Sequence, residues 1–248
     1  MNPQNTRATS GFAVEGAVAL VTGANRGLGR HFAEQLLDRG AARVYATARR
    51  PETIDMPDVV PLRLDITDHD TVRAATDAAN DVTLLVNNAG ISRWTSLVTS
   101  DLEDIRAEME TNFWGTLAMV RAFAPVLATN GGGAILNALS AQSWFGFPNV
   151  NGYHASKAAQ WALTNGVRLE LEEQGTLVTG LHLGAIDTDF SAAYDGPKGD
   201  PADSARAGLD GLVKGAIEVI ADDWSAHVKQ SLADDPARLY AEIRAGIV

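Results

Sequence analysis

The sequence predicts an α/β fold, a doubly wound, seven-stranded parallel sheet flanked by helices, and three observations carry the prediction. Short apolar, β-branched runs alternate with longer stretches of helical spacing from residue 17 almost to the end. The first of these runs closes on a glycine-rich turn that opens a helix. At 248 residues with 46% hydrophobic content, the chain supports one large core, and no repeat, linker or low-complexity block divides it. We therefore expect a single domain over residues 13–248, preceded by a flexible polar tail at residues 1–12.

Residues 17–22 read as the first strand, followed by Gly23 and an amphipathic helix over residues 28–37. Between them, Thr22-Gly23-Ala24-Asn25-Arg26-Gly27-Leu28-Gly29 puts glycines where a backbone must pass close to a phosphate and a helix N-terminus offers free N–H groups. A dinucleotide pyrophosphate fits that turn. Residues 43–47 form the second strand and run into Ala48-Arg49-Arg50, where an enzyme that binds a ribose 2′-hydroxyl carries an acid. An Arg there pairs instead with a 2′-phosphate, and Arg26 can approach the same group, so NADP(H) is favoured over NAD(H). Solvated loop charges are the competing explanation for Arg49 and Arg50.

The third strand spans residues 59–64, and Asp65-Ile66-Thr67-Asp68 supplies a cap for a helix starting near Asp70. Residues 83–86 are a buried strand ending in Asn87-Asn88-Ala89-Gly90, small and amide-bearing residues suited to lying beside a cofactor. A capping box at residues 100–103 starts a helix, and helical character resumes over residues 110–127 with Asn112 inside it. Asn is a poor mid-helix residue, which implies either a kink or a solvent-facing side chain.

Residues 133–139 make the fifth strand, with Ser140 at its end. On the next helix Tyr153 and Lys157 stand at (i, i+4), which puts a phenol and an ammonium on one face. Free Tyr titrates near pH ~10, and a nearby cation lowers that value toward neutrality. The sixth strand, residues 177–182, leads into Leu183-Gly184-Ala185-Ile186-Asp187-Thr188. The stretch from there to Ser204, with Gly196, Pro197, Gly199 and Pro201, reads as a mobile substrate loop. A helix at 205–214, a strand at 217–221 and a final helix at 224–232 complete the chain.

Composition narrows the function. The net charge of −11 argues against nucleic acid or an anionic membrane as the main partner. The absence of Cys rules out disulfides, thiolate ligands and Cys nucleophiles, and the five His residues have no ligand spacing, so no metal is expected. No apolar run reaches the ~18 residues of a membrane span, and the polar start lacks a signal-peptide core. A cytoplasmic protein is the expectation. Trp94, Trp144, Phe145, Phe147, Phe190 and Tyr194 are candidates for an apolar substrate pocket.

The TGxxxGxG turn at Thr22–Gly29, the NNAG string and the YxxxK pair together resemble the short-chain dehydrogenase/reductase family, over roughly residues 18–188. The resemblance implies a Rossmann-type domain that interconverts a ketone or aldehyde and an alcohol by hydride transfer with NADP(H). It implies that Tyr153 is the acid/base, that Ser140 holds the substrate oxygen, and that Asn112 holds a proton-relay water linked to Lys157. Lys157 would bind the nicotinamide ribose and lower the Tyr153 pKa. Asp65 and Ile66 would flank the adenine, and Asn88, Ala89 and Gly90 would line the adenosine ribose. Gly184, Ile186 and Thr188 belong to a segment similar to PGxxxT, which holds the nicotinamide carboxamide. Leu183 replaces its Pro, which leaves that loop less rigid. A homodimer or homotetramer, paired through the helices that hold Asn112 and Tyr153, is also implied.

Two other readings remain at this level. A non-catalytic NADP(H)-sensing regulator needs the glycine turn but not Ser, Tyr and Lys in register. An epimerase or dehydratase relative also carries Tyr–x3–Lys, but with a TGxxGxxG spacing and a longer C-terminal lobe that are missing here.

Overall fold

The computed structural model describes residues 11–245. Its strands are β1 (Val18–Val21), β2 (Arg43–Ala48), β3 (Val60–Arg63), β4 (Leu84–Asn87), β5 (Ala134–Ala138), β6 (Leu177–His182) and β7 (Glu218–Ile220). They form one sheet in the order β3-β2-β1-β4-β5-β6-β7, with every pairing parallel. The helices are α1 (Gly27–Asp38), α2 (His69–Ala78), α3 (Leu102–Met109), α4 (Thr116–Thr129), α5 (Asn151–Glu170), α6 (Pro201–Val213), α7 (Asp223–Ser231) and α8 (Pro236–Ala245).

The period-two alternation of the strands divides the interior into two cores. Ala19, Val21, Leu84, Val86 and Leu136 face one side, where Phe32 and Leu36 of α1 and Leu209 and Leu212 of α6 cover them. Leu20, Leu85, Ile135 and Val178 face the other, against Val72 of α2, Phe123 and Leu127 of α4 and Val167 of α5. Apolar runs rather than alternating ones are what a strand buried on both faces requires. Winding reverses between β1 and β4, so the strand ends open into a crevice at that point.

Several sequence expectations are corrected in detail. Most of the expected tail, residues 1–10, lies outside the described residues, but Phe12 is already docked, its N–H donating to the Leu212 carbonyl at 3.1 Å. The cap of α3 is Asp101, which accepts from the Glu103 N–H at 3.0 Å, and Ser100 instead accepts from Ser96. The expected loop up to Ser204 is more regular than its Gly and Pro content suggests. Asp189–Ser191 form a 3-10 turn, Ile186 bridges to Gly199, and α6 begins at Pro201 rather than at residue 205. Proline is pre-organised for the first helical position, and Asp200 before it caps the helix by accepting from the Ala202 N–H at 2.7 Å. A further helix, α8, follows the one expected to be last. Among the described residues no helix is long and apolar enough to cross a membrane.

Candidate active site

The parallel sheet brings every motif to one edge, where a cleft of about 1620 Å³ runs from the end of β2 to the segment after β6. Ser140 leaves β5 and caps the turn Ala141–Ser143, its hydroxyl accepting from the Gln142 N–H at 3.1 Å. Tyr153 and Lys157 project from the first turns of α5, and the Ser140 hydroxyl lies within hydrogen-bonding reach of the phenol. Lys157 Nζ is 5.7 Å from the Tyr153 ring centroid.

The electrostatics differ from the sequence expectation. Burial pushes the Tyr153 phenol well above its ordinary pKa, the Ser140 hydrogen bond opposes that rise, and the charge of Glu108 adds to it. Burial also pushes the Lys157 ammonium down to about 7. The cation that was to lower the phenol is therefore itself desolvated, and two of its three donors are directed elsewhere. Lys157 Nζ donates to the Ala138 carbonyl at 2.9 Å and to Gln160 Oε1 at 2.8 Å. Gln160 Nε2 in turn donates to the Thr116 hydroxyl at 3.0 Å.

Asn112 sits in a π-helical turn, Glu110–Gly115, that joins α3 to α4, which is the expected kink in another form. Its side chain is buried. The amide donates to the Ile91 carbonyl at 2.9 Å and to Ser156 Oγ at 2.8 Å, while Oδ1 accepts from the Ile91 N–H at 2.9 Å. Its backbone carbonyl accepts the Thr116 hydroxyl at 2.9 Å. Asn112 thus braces the loop after β4 against α5.

The start of α5 has no side-chain cap. A buried knot holds it instead. The Gly152 N–H donates to the Thr95 carbonyl at 3.3 Å, the Thr95 hydroxyl donates to Glu108 Oε2 at 2.6 Å, and Glu108 Oε1 accepts from the Arg93 N–H at 2.6 Å. Glu108 is fully buried, so its two bonds offset a large desolvation cost.

At the other end of the cleft, Gly23 and Gly27 have φ of 65° and 53°, and a β-carbon on Gly29 would lie 2.2 Å from the Gly23 carbonyl oxygen. Asn88 Nδ2 braces the turn by donating to the Thr22 carbonyl at 2.9 Å, and the Ala89 N–H donates to the Thr22 hydroxyl at 2.9 Å. Asn25 donates to Thr53 at 3.1 Å. Among the described residues the first turn of α1 has neither a side-chain cap nor an acidic residue, and its Gly27 and Leu28 line the cleft. Arg49 is exposed on the cleft wall and has no ion-pair partner among the described residues, whereas Arg26 pairs with Asp189 at 3.0 Å. Asp65 accepts from the Thr67 N–H and hydroxyl, and Ile66 packs beside Gly115. Uncapped helix, glycine turn and free cation together fit a phosphorylated dinucleotide.

Of the residues singled out from sequence, Gly23, Asn25, Arg26, Gly27, Leu28, Arg49, Asp65, Ile66, Asn88, Ala89, Gly90, Ser140, Tyr153, Lys157, Gly184, Ile186 and Thr188 line this cleft. Gly29 and Asn112 stand behind its wall. Of the six aromatic candidates, Trp94, Phe145, Phe147, Phe190 and Tyr194 line it, but Trp144 does not. Trp144 stacks on His182 at 3.9 Å and an interplanar angle of 17°, behind Ser140. Trp224 lines the cleft in its stead. Sequence reasoning missed Trp224, Glu108 and Gln160. The helical spacing of Gln160 three residues after Lys157 is a signal that could have found it, whereas Glu108 acts through contacts distant in sequence.

A model of the family described as short chain dehydrogenase matches residues 17–198 of this chain. The chain belongs to the short-chain dehydrogenase/reductase family. It is accordingly an oxidoreductase acting on CH–OH and C=O groups. It is 42% identical to a short chain dehydrogenase from Burkholderia cenocepacia whose crystal structure is a complex with NADP, with a TM-score of 0.89 over 93% of this chain and 98% of that one. The 3-oxoacyl-[acyl-carrier-protein] reductase FabG of Vibrio cholerae is 30% identical over 216 residues, covering 78% of this chain and 88% of FabG. The NADPH-dependent 1-acyldihydroxyacetone phosphate reductase of Schizosaccharomyces pombe is 34% identical over 182 residues, 70% of this chain and 61% of the reductase.

Proposed function

We propose that this oxidoreductase reduces an apolar ketone or aldehyde to the alcohol, using NADPH in preference to NADH. The observation that supports it most is the meeting of Ser140, Tyr153 and Lys157 at the aromatic end of one cleft whose other end offers the free Arg49. NADPH held in this cleft would supply hydride chemistry toward a carbonyl carbon. Ser140 donates a hydrogen bond to the carbonyl oxygen, and Tyr153 gives that oxygen its proton. The phenol carries its proton at neutral pH, as a donor to the carbonyl oxygen must, although burial makes it a weaker acid than free Tyr. Lys157, held by Ala138 and Gln160, keeps one donor for the cofactor ribose. Trp94, Phe147, Phe190 and Tyr194 favour an apolar substituent on the substrate.

The FabG relative and the NADP complex from Burkholderia cenocepacia lend support to the cofactor and to carbonyl chemistry. We further infer a cytoplasmic homodimer or homotetramer. The test is NADPH oxidation by the pure protein against a panel of aromatic and aliphatic ketones and aldehydes, with Tyr153→Phe alongside. We expect turnover with apolar members and at least a hundredfold loss of kcat in the variant, with NADPH affinity within about threefold of wild type. Tight NADPH binding without turnover of any carbonyl would favour the cofactor-sensing regulator.

A further inference from the structure

Leu183 deprives the segment after β6 of the fixed φ that proline would give it, yet the next residue is held from a different element. Asp222 stands before α7 and uses its two oxygens for two separate purposes. Oδ1 accepts from the Ser225 N–H at 2.7 Å and caps the helix. Oδ2 accepts from the Gly184 N–H at 2.7 Å and so grips the backbone of the cleft wall. Both are short, charge-assisted bonds, the stronger kind. Among the described residues no cation pairs with Asp222, which leaves its charge to these N–H donors. The fit around Gly184 is close, since a β-carbon there would lie 3.2 Å from Trp224 Cδ1 and 3.3 Å from Asp222 Oδ1. Trp224 in turn meets Phe145 edge-on at 5.5 Å, and Phe145 shares a small core with Ala141, the residue after Ser140. The start of α7 therefore touches both walls of the chemical end of the cleft.

We propose that Asp222 is a positioning residue for the nicotinamide end of the cofactor, fixing the Gly184 backbone from α7 as proline would from within the loop. The inference rests on the NADP(H) reading of the cleft. Asp222→Ser separates its two roles, because Ser caps a helix nearly as well as Asp but has one side-chain oxygen instead of two.

The experiment is titration calorimetry of wild type, Asp222→Ser and Asp222→Ser/Leu183→Pro with NADPH and with 2′,5′-ADP, which lacks the nicotinamide half. In Asp222→Ser we expect NADPH binding to weaken about tenfold while 2′,5′-ADP stays within about twofold. Adding Leu183→Pro is expected to recover most of the loss, which a merely destabilised fold would not allow. Equal NADPH affinity in Asp222→Ser, equal weakening of both ligands, or no recovery in the double variant would each overturn the proposal. Should the Ser variant fail to fold, Asp222→Asn, isosteric but with one acceptor oxygen, carries the same expectations. A wild type that binds 2′,5′-ADP and NADPH alike in the presence of an intact Asp222 counts against the inference alone. A wild type that binds neither overturns the cofactor reading beneath it.

Discussion

Arg49 and Arg26 were assigned to one ligand group from sequence, but the fold gives them different electrostatic circumstances. Arg49 faces the cleft without an ion-pair partner among the described residues, whereas Arg26 must leave Asp189 to reach a 2′-phosphate. That pair is solvent-exposed on both sides, so it is a weak restraint. We expect Arg49→Ala to weaken NADPH by roughly one to two decades and to leave NADH nearly unchanged. Arg26→Ala should have a smaller effect, and Asp189→Asn should tighten NADPH by no more than about fivefold. Fluorescence titrations with both cofactors at two salt concentrations measure all three, since added salt should erode the NADPH preference of the wild type. NADH used as well as NADPH by the wild type would contradict the assignment of the β2 end.

At the scale of elements, α5 carries Tyr153 and Lys157, to which we assign the chemistry, but depends on its neighbours for its start. The Glu108–Thr95–Gly152 knot does what a cap residue would otherwise do, and it ties the loop after β4 to the turn that presents Tyr153. Only glycine fits at the contact, since a β-carbon on residue 152 would lie 2.1 Å from Thr95 Oγ1 and 2.3 Å from Glu108 Oε2. We therefore expect Gly152→Ala to displace the first turn of α5 and lower kcat by at least about tenfold, with adenine-end binding retained. Steady-state kinetics beside 2′,5′-ADP titration checks this, and wild-type kcat in the variant would show that the contact relaxes freely. The π-helical turn belongs to the same scale. It turns the buried Asn112 toward Ile91 and Ser156, which an unbroken helix with a solvent-facing Asn would not do.

For the whole molecule, pH and association are the measurable consequences. His182 lies behind Ser140, stacked on Trp144 and 1% exposed, and burial holds its pKa down to about 4 against an ordinary 6.5. The unfolded chain takes up a proton below pH 6.5 that the folded one refuses until about 4, so stability falls as pH drops through that window. From pH 7 to 5 this residue should cost the fold about 2 kcal/mol, and His182→Asn should remove that part of the slope. Urea unfolding at the two pH values reads the difference between the slopes, and equal slopes would contradict it. Leu102, Trp114 and Leu169 are 60%, 52% and 73% exposed on α3, the π-helical turn and α5, the elements inferred to pair between subunits. Light scattering should give a multiple of 26.3 kDa, and a monomer at working concentration would count against the homo-oligomer.

Local order in the sequence determined the alternation of strand and helix, the glycine turn at the end of β1, and the Tyr153–Lys157 pair on one face of α5. Those features rest on spacing between near neighbours, and a parallel sheet necessarily brings all its strand ends to one edge. Seventeen of the residues singled out from spacing and from the family resemblance line the cleft. What only the tertiary structure decided lies between residues far apart in the chain: Asp222 on Gly184, Glu108 on Thr95, Arg26 on Asp189, and Trp224 lining the cleft where Trp144 was expected. The direction of the Tyr153 and Lys157 pKa shifts belongs here as well. Spacing announces that a cation and a phenol are neighbours, but desolvation depends on everything packed around them, and that sum exists only in the folded molecule.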